Sequence, residues 1–216
     1  MYEKLRITAE LKTPIIMRGF LTFDALMGAL LFEKYEDVEK AHGEIPIRCE
    51  DGLFHASAAQ VGDFERGSVS FIASLRADHD INPDHLLKNR AGTGTHRRMK
   101  RTKREAYGNV KNDYVTIGSQ TIFWDIEGDY AKIGELLQNA MFIGKKRTAG
   151  YGEIANWHFD DGLNDGLLSS DKTPLRPIPV NLYQGDKTLP IVDAAWKPAY
   201  WNPENRAACY APEAIS

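Results

Sequence analysis

The sequence predicts an α+β fold built on a βαββαβ core. Three observations support this class: alternating apolar and polar residues near the N-terminus, two helical stripes of apolar residues, and strand-like segments between and after those stripes. The chain has 216 residues, 43% of them hydrophobic, which suits one domain with a sizeable core. We expect residues 1–159 to form that core, and residues 160–216 to form an extension that packs on the core or on a partner.

The core is expected to begin with a strand and a helix. Apolar residues occupy every second position over residues 5–11, as in a half-buried strand, and Pro14 ends this segment. Thr22 is a typical N-cap for a helix over residues 23–40, which carries an apolar stripe along one side. This pair supplies the first strand and the first helix of the predicted order.

Three strand candidates follow the helix. Residues 45–50 and 53–58 flank the Asp51-Gly52 pair, which is a strong signal for a two-residue hairpin turn. Residues 68–77 form the third candidate, which ends where the hydrophobic pattern fades.

The second half of the core is predicted to be a strand, a helix and a strand. Residues 114–126 are a long strand candidate with a bend or bulge at Gly118. Asp129 can cap a helix whose apolar residues share one face as far as Met141. The last strand covers residues 152–159. The extension after it is expected to be irregular but not disordered, since it combines seven of the ten prolines with several aromatic residues.

A strongly basic segment interrupts the core. Between Lys88 and Lys111 lie nine Lys or Arg residues and one acid, a net charge of +8 in a chain whose formal net charge is −3. We interpret residues 78–112 as an insertion, part loop and part irregular hairpin or helix. So dense a group of cations suits a groove with phosphates on more than one side, although a solvated charged surface is the alternative. The candidate nucleic-acid contacts are Arg97, Arg98, Lys100, Arg101, Lys103 and Arg104.

A glycine-rich connection joins the second helix to the last strand. Its glycines permit positive φ and close backbone approach, and cations beside exposed amide groups favour an anion such as a nucleic-acid backbone. Its tyrosine is placed to stack on a base. A helix C-cap followed by a turn is the alternative interpretation. The candidate RNA-binding residues are Gly144, Lys145, Lys146, Arg147, Gly150, Tyr151 and Gly152.

The connection over residues 144–154 resembles the glycine-rich loop of the RAMP superfamily of CRISPR proteins. Residues 5–14, 21–26 and 55–58 resemble the corresponding segments of one branch, the subunit that binds the 5′ handle of the guide RNA in type IV CRISPR effector complexes. The resemblance covers about residues 5–159. It implies a ferredoxin-like (RRM-like) RAMP core in which the basic insertion takes the place of a thumb.

The resemblance also implies a function. It predicts a non-catalytic, cytoplasmic RNA-binding subunit of a ribonucleoprotein that acts in antiviral or anti-plasmid defence. The seven loop residues would contact the 5′ handle of the crRNA. The basic segment would extend toward target DNA near the duplex entry, and the backbone and large subunits of the complex would be protein partners. Target sequence would be recognised by guide pairing.

Two alternatives stay open from the sequence. The first is a metal-independent endoribonuclease that processes CRISPR precursor RNA, for which His55 and His96 are the candidate bases. The second is a general single-stranded nucleic-acid binder. We expect no catalytic residues, because no two histidines have a spacing that indicates a catalytic pair, and the short acidic clusters at Asp78–Asp80 and Asp160–Asp161 lack further metal ligands.

Composition limits the setting of the protein. Cys49 and Cys209 form neither a zinc pattern nor a disulfide framework, which favours a reducing compartment. The N-terminus lacks the apolar segment of a signal peptide, and no apolar run approaches the ~20 residues of a membrane span. We therefore expect a cytoplasmic protein without a cofactor, a metal or a membrane partner.

Overall fold

The computed structural model describes residues 2–73 and 110–213. These residues form a mixed α+β structure with mostly antiparallel sheets and few helices, as the α+β prediction expected. They fall into two compact units, Met1–Gly67 with Thr116–Ser216, and Ser68–Val115. The six candidate cations of the basic insertion lie outside the described residues, as does most of that insertion.

Strands and helices of the described chain follow one another in this order: β1 (Glu3–Leu11), α1 (Phe23–Tyr35), α2 (Val38–Gly43), β2 (Cys49–Glu50), β3 (Leu53–Phe54), β4 (Gln60–Val61), β5 (Glu65–Ala73), β6 (Val110–Gly118), β7 (Thr121–Gly128), α3 (Tyr130–Leu137), β8 (Ile154–Asp161), β9 (Ile178–Pro179), β10 (Ile191–Ala195) and β11 (Arg206–Tyr210). Short 3₁₀ turns lie at Arg147–Ala149 and Pro203–Asn205.

The main sheet has the strand order β4-β7-β1-β8, and its neighbouring strands are antiparallel. The alternation predicted for β1 is confirmed, because Leu5, Ile7 and Ala9 are buried while the residues between them are more exposed. Ile7 lies opposite Trp124 of β7, which is fully buried in the core. The apolar faces of α1 and α3 belong to the same core cluster.

Two helices end earlier than the sequence predicted. The helix expected over residues 23–40 breaks at Glu36, which has a left-handed φ of 53°, and Asp37 then caps α2 by accepting from the Lys40 amide. Helix α3 ends at Leu137, so Met141 lies beyond it. The Met141 carbonyl accepts from the Ile154 amide at 2.9 Å, and this pairing with the last strand draws the chain out of the helix.

The long strand predicted over residues 114–126 is two strands. Chain direction changes between β6 and β7, where the Ser119 hydroxyl donates to the carbonyls of Asp63 and Thr121. The predicted hairpin turn is confirmed: Asp51 and Gly52 have φ values of 50° and 80°, and β2 pairs with β3 across them.

The C-terminal extension is more regular than expected. Strands β10, β11 and β9 form a three-stranded antiparallel sheet, so the prediction of an irregular segment is wrong over these residues. A second apolar cluster forms here, with Tyr183 and Tyr210 in ring contact at 4.5 Å and Leu53 of β3 beside them. The extension therefore shares a core with the β2-β3 hairpin.

The smaller unit, Ser68–Val115, includes parts of β5 and β6, which pair as a two-stranded sheet. The Ser70 hydroxyl donates to the Asp113 carboxylate at 2.5 Å, and the rings of Phe71 and Tyr114 meet edge to face at 5.8 Å. None of the helices in the described part of the chain is long and apolar enough to cross a membrane.

Candidate nucleic-acid interface

The glycine-rich connection is a closed loop between α3 and β8. Its two ends pair with each other: Phe142 and Glu153 form an antiparallel bridge, and the Ile143 amide donates to the Gly152 carbonyl at 2.9 Å. The 3₁₀ turn Arg147–Ala149 forms its tip. We call residues 142–153 the basic loop.

The basic loop is anchored to the segment that follows β1. The Lys145 amide donates to the Ile16 carbonyl at 2.8 Å, and the Gly152 amide donates to the Pro14 carbonyl at 2.9 Å. The Glu153 amide donates to the Thr13 hydroxyl at 2.9 Å. These bonds lie on both sides of the tip, so the loop is held at its base while its tip is presented to solvent.

Two of the three glycines are explained by the packing of the loop itself. Gly144 has a φ of +80°, and a Cβ there would lie 2.6 Å from the Ile16 carbonyl oxygen. Gly152 has a φ of +72°, and a Cβ there would collide with the backbone of Ile143. Gly150 differs, because its φ is +86° but no described atom lies within 4 Å of its Cβ position. The ligand interpretation does not account for this internal role of Gly144 and Gly152, and contact of the three glycines with RNA stays a prediction.

Arg147 lies in the tip of the basic loop, and Lys145 and Lys146 directly precede the tip. Lys145 and Arg147 are exposed, whereas Lys146 and Tyr151 are partly buried, and Lys146 has a left-handed φ of 60°. Arg147 forms an ion pair with Glu33 at 3.5 Å. Because this pair is exposed to solvent it is weak, so the Arg147 guanidinium can still bind another anion. The structure therefore brings together the seven loop residues predicted from the sequence.

His55, the candidate base of the nuclease alternative, lies in an acidic surrounding. It is buried, with Nε2 3.5 Å from a Glu50 carboxylate oxygen and Nδ1 3.7 Å from oxygens of both Glu127 and Asp165. Three carboxylates around the ring would repel an RNA phosphate, so this arrangement does not favour cleavage chemistry. His96, the other candidate, lies outside the described residues.

The contact with His55 also lowers the pKa of Asp165. His55 holds the pKa of Asp165 at about 2, below its ordinary 3.8, and the amides of Leu167 and Leu168 also donate to this carboxylate. His55 and Asp165 thus join β3 to the beginning of the C-terminal extension.

Sequence reasoning missed a buried polar network centred on Arg176. Its side chain is completely buried, and Nη1 donates to Asp24 at 3.1 Å and to the carbonyls of Phe54 and Ala56 at 2.6 and 3.1 Å. Nη2 donates to the Trp196 carbonyl at 2.7 Å. The available signal was an isolated cation within the apolar run of residues 174–179.

Tyr200 completes this network. Its hydroxyl donates to Asp24 at 2.5 Å and accepts from Arg176 at 2.8 Å and from Thr22 at 2.9 Å. Burial raises the pKa of Tyr200, which keeps the hydroxyl protonated. Burial by itself would lower the pKa of Arg176, but the charges and hydrogen bonds of Asp24 and Tyr200 together outweigh burial and raise that pKa. The network fastens the extension to α1.

Residues 2–73 and 110–213 contain no group of three or more His, Cys, Asp or Glu side chains that could hold a metal ion. Asp160 and Asp161 lie in this part of the chain, whereas Asp78–Asp80 lies outside it. Cys49 and Cys209 are free thiols, and burial raises the pKa of Cys209 to about 11.

The candidate interface is defined by the geometry and charge of the basic loop. Its closed ends, its anchorage beside β1 and its exposed cations are the features available for binding. No protein-family model matches the chain, and no curated protein is similar to it in sequence.

Proposed function

We propose that the protein binds RNA without cleaving it, as the subunit that holds the crRNA 5′ handle in a type IV CRISPR ribonucleoprotein. The observation that carries the proposal is the basic loop, a closed tip fixed at its base with Lys145 and Arg147 exposed. A rigid, cationic, glycine-containing tip can contact a sugar-phosphate backbone closely. Because the tip is already folded, binding does not cost the entropy of ordering it.

The proposal includes a ferredoxin-like RAMP core. The strand order β4-β7-β1-β8, with antiparallel neighbours, supports it. So does the chain order, since α1 lies between β1 and β4 while α3 lies between β7 and β8. These are the connections of a βαββαβ unit. The basic loop then occupies the connection from the second core helix to the last core strand, the position that the sequence resemblance requires.

Binding would be mainly electrostatic. Lys145, Lys146 and Arg147 supply the charge, and Tyr151 offers a ring for base stacking. The basic segment, with a net charge of +8, would provide a further contact surface for nucleic acid. The remainder of the chain carries −11. On this proposal the acidic remainder faces protein neighbours, the backbone and large subunits, and target DNA approaches the basic segment in the cytoplasm.

The test is to purify the tagged full-length protein from its host and to sequence the RNA that co-purifies. We expect guide RNAs with one uniform 5′ handle. The double variant Lys145→Ala/Arg147→Ala should lose most of this RNA, whereas Lys187→Ala, an exposed lysine outside the loop, should retain it. Bulk cellular RNA, or equal retention by both variants, would contradict the proposal.

The same preparation tests the nuclease alternative. We expect purified protein to leave a CRISPR repeat RNA intact over hours. Cleavage that is lost on His55→Ala or His96→Ala would replace the binding role by a catalytic one.

A further inference from the structure

A second candidate surface is an apolar groove on the helical side of the larger unit. The groove has a volume of about 340 Å³ and lies between α1, α2 and residues 198–201. Its walls include Ala25, Ala29 and Phe32 of α1, Val38 of α2, and Trp201. We call it the α1 groove.

Large apolar side chains stand exposed along the α1 groove. Trp201 is 78% exposed, Phe32 is 44% exposed and Val38 is 40% exposed. A lone exposed apolar residue is ordinary, but three around one concave surface mark an interaction site. Tryptophan is also the residue type most enriched among those that dominate binding energy at protein interfaces.

Helix α1 is apolar on two sides. Phe23, Met27 and Leu31 are buried in the main core. Ala25, Ala29 and Phe32 follow the spacing i, i+4, i+7 and line the groove instead. A surface helix ordinarily presents a polar second side, so the apolar second side of α1 indicates a further partner.

The opposite wall of the groove is held in place. Tyr200, next to Trp201, donates to the buried Asp24 carboxylate and accepts from Arg176. Because this network fixes the backbone beside Trp201, the groove is formed before a partner arrives, which lowers the entropy lost on binding.

The rim of the groove is acidic beside Val38. Glu36, Asp37 and Glu39 are exposed beside Val38, whereas Glu33 pairs with Arg147 at 3.5 Å. Lys34 and Lys40 lie over the ring of Tyr35, at 5.6 and 4.2 Å from its centroid, and Lys34 also pairs with Glu135 at 3.6 Å, so these two cations do not balance the three acids. This charge repels RNA and complements a cationic protein surface.

We propose that the α1 groove binds an amphipathic helix of a partner protein. The aliphatic ridge of that helix enters the groove beside Trp201 and Phe32, and its Lys and Arg residues meet the acidic rim. The α1 groove shares no lining residue with the basic loop, and the proposal does not depend on RNA binding, so either one can fail without the other.

The test places a photo-crosslinking side chain in the groove. Full-length protein carrying Trp201→p-benzoylphenylalanine is expressed in its host and irradiated, and the crosslinked peptides are sequenced by mass spectrometry. We expect crosslinks to one protein segment with apolar residues at i, i+3 or i+4 and i+7, and with more Lys and Arg than Asp and Glu. Crosslinks to RNA, to a second copy of this chain or to a segment without that pattern, or no crosslink, overturn the proposal.

The purified partner then gives the quantitative test. Trp201→Ala should weaken its binding by ~30-fold, as expected for a central interface tryptophan. Glu36→Lys with Glu39→Lys should also weaken binding, and the loss should shrink at high salt. Leu163→Ala, which truncates an apolar residue 87% exposed outside the groove, should leave affinity unchanged. Equal affinities for Trp201→Ala and Leu163→Ala overturn the proposal.

Discussion

At the scale of single residues, Arg176 makes five side-chain hydrogen bonds while completely buried. It donates hydrogen bonds to a carboxylate, a hydroxyl and three backbone carbonyls. Its ion pair with Asp24 is fully buried, so each charge depends on the other for compensation. The pair therefore specifies where the extension packs on α1. An apolar contact of similar size would tolerate more alternative positions.

We predict that Arg176→Met lowers the free energy of unfolding by about 3–5 kcal/mol, because Asp24 is left as an uncompensated buried charge. Arg206→Met is the matched control. Arg206 pairs with Asp193 at 2.7 Å on the surface, and its loss should cost less than about 1 kcal/mol. Urea unfolding measures both variants. Similar values for the two would mean that Arg176 is not the link described.

The lowered pKa of Asp165 gives a prediction on acid stability. Since its pKa is about 2 when folded and 3.8 ordinarily, this group stabilises the protein fully above pH 3.8, and the contribution is lost as the pH falls toward 2. Asp165→Asn should therefore lower the free energy of unfolding at pH 6 by about 1 kcal/mol, allowing for solvent screening, and by much less near pH 2. Urea unfolding at both pH values checks this. A difference that is constant with pH would contradict it.

At the scale of elements, the basic loop depends on two glycines for its shape. Gly144 and Gly152 are the points where the loop approaches Ile16 and Ile143 most closely, and both have positive φ. The loop is thus a folded element with its own packing, and substitutions there act on structure as well as on binding.

We predict that Gly152→Ala destabilises the protein more than Gly150→Ala does. Gly150→Ala should cost only the strain of positive φ, about 1–2 kcal/mol, since its Cβ position is open. Gly152→Ala adds a collision with the Ile143 backbone and should cost at least ~2 kcal/mol more. Thermal or urea unfolding measures the difference. Equal costs would show that the loop opens easily at its base.

Local patterns predicted some elements well and missed others for physical reasons. The alternation in β1 and the Asp51-Gly52 turn depend on neighbouring residues, and both are confirmed. The early end of α3 depends on a hydrogen bond from Ile154 to Met141, a partner that helical periodicity does not reveal. Likewise, the basic loop was visible as composition, whereas its anchorage to Pro14 was not.

The buried network of Arg176 is a stronger case of a contact that local sequence patterns do not reveal. Arg176 and Asp24 are 152 positions apart, so no local pattern connects them. The strands of the extension were missed because each is short and the segments between them are rich in proline, and pairing between β10 and β11 supplies the regularity. Sequence reasoning reached the candidate loop but not the framework that holds it.

At the scale of the whole molecule, charge is divided unevenly. The segment Lys88–Lys111 carries a net +8, while the chain as a whole carries −3. If the protein binds nucleic acid as proposed, this uneven charge would favour one orientation of the bound nucleic acid.

We predict a steep salt dependence for RNA binding. If about six cations meet phosphates, log K against log salt should have a slope near −4 for single-stranded RNA. Replacing Arg97, Arg98, Lys100 and Arg101 by Ala should reduce the slope by about 3, since four contacts are removed. Fluorescence anisotropy over a salt series measures this. An unchanged slope would make the basic segment a solvated surface and leave the loop as the contact.

The separation between Asp24 and Arg176 also has a consequence for biosynthesis. While the chain is being translated, Asp24 emerges early, but its counter-charge is made 152 residues later. Until then, Arg176 cannot neutralise Asp24 or join α1 to residues 54–56. The nascent N-terminal half is therefore exposed to aggregation and to chaperones. The buried ion pair beside α1 can therefore form only after residue 176 has been synthesised.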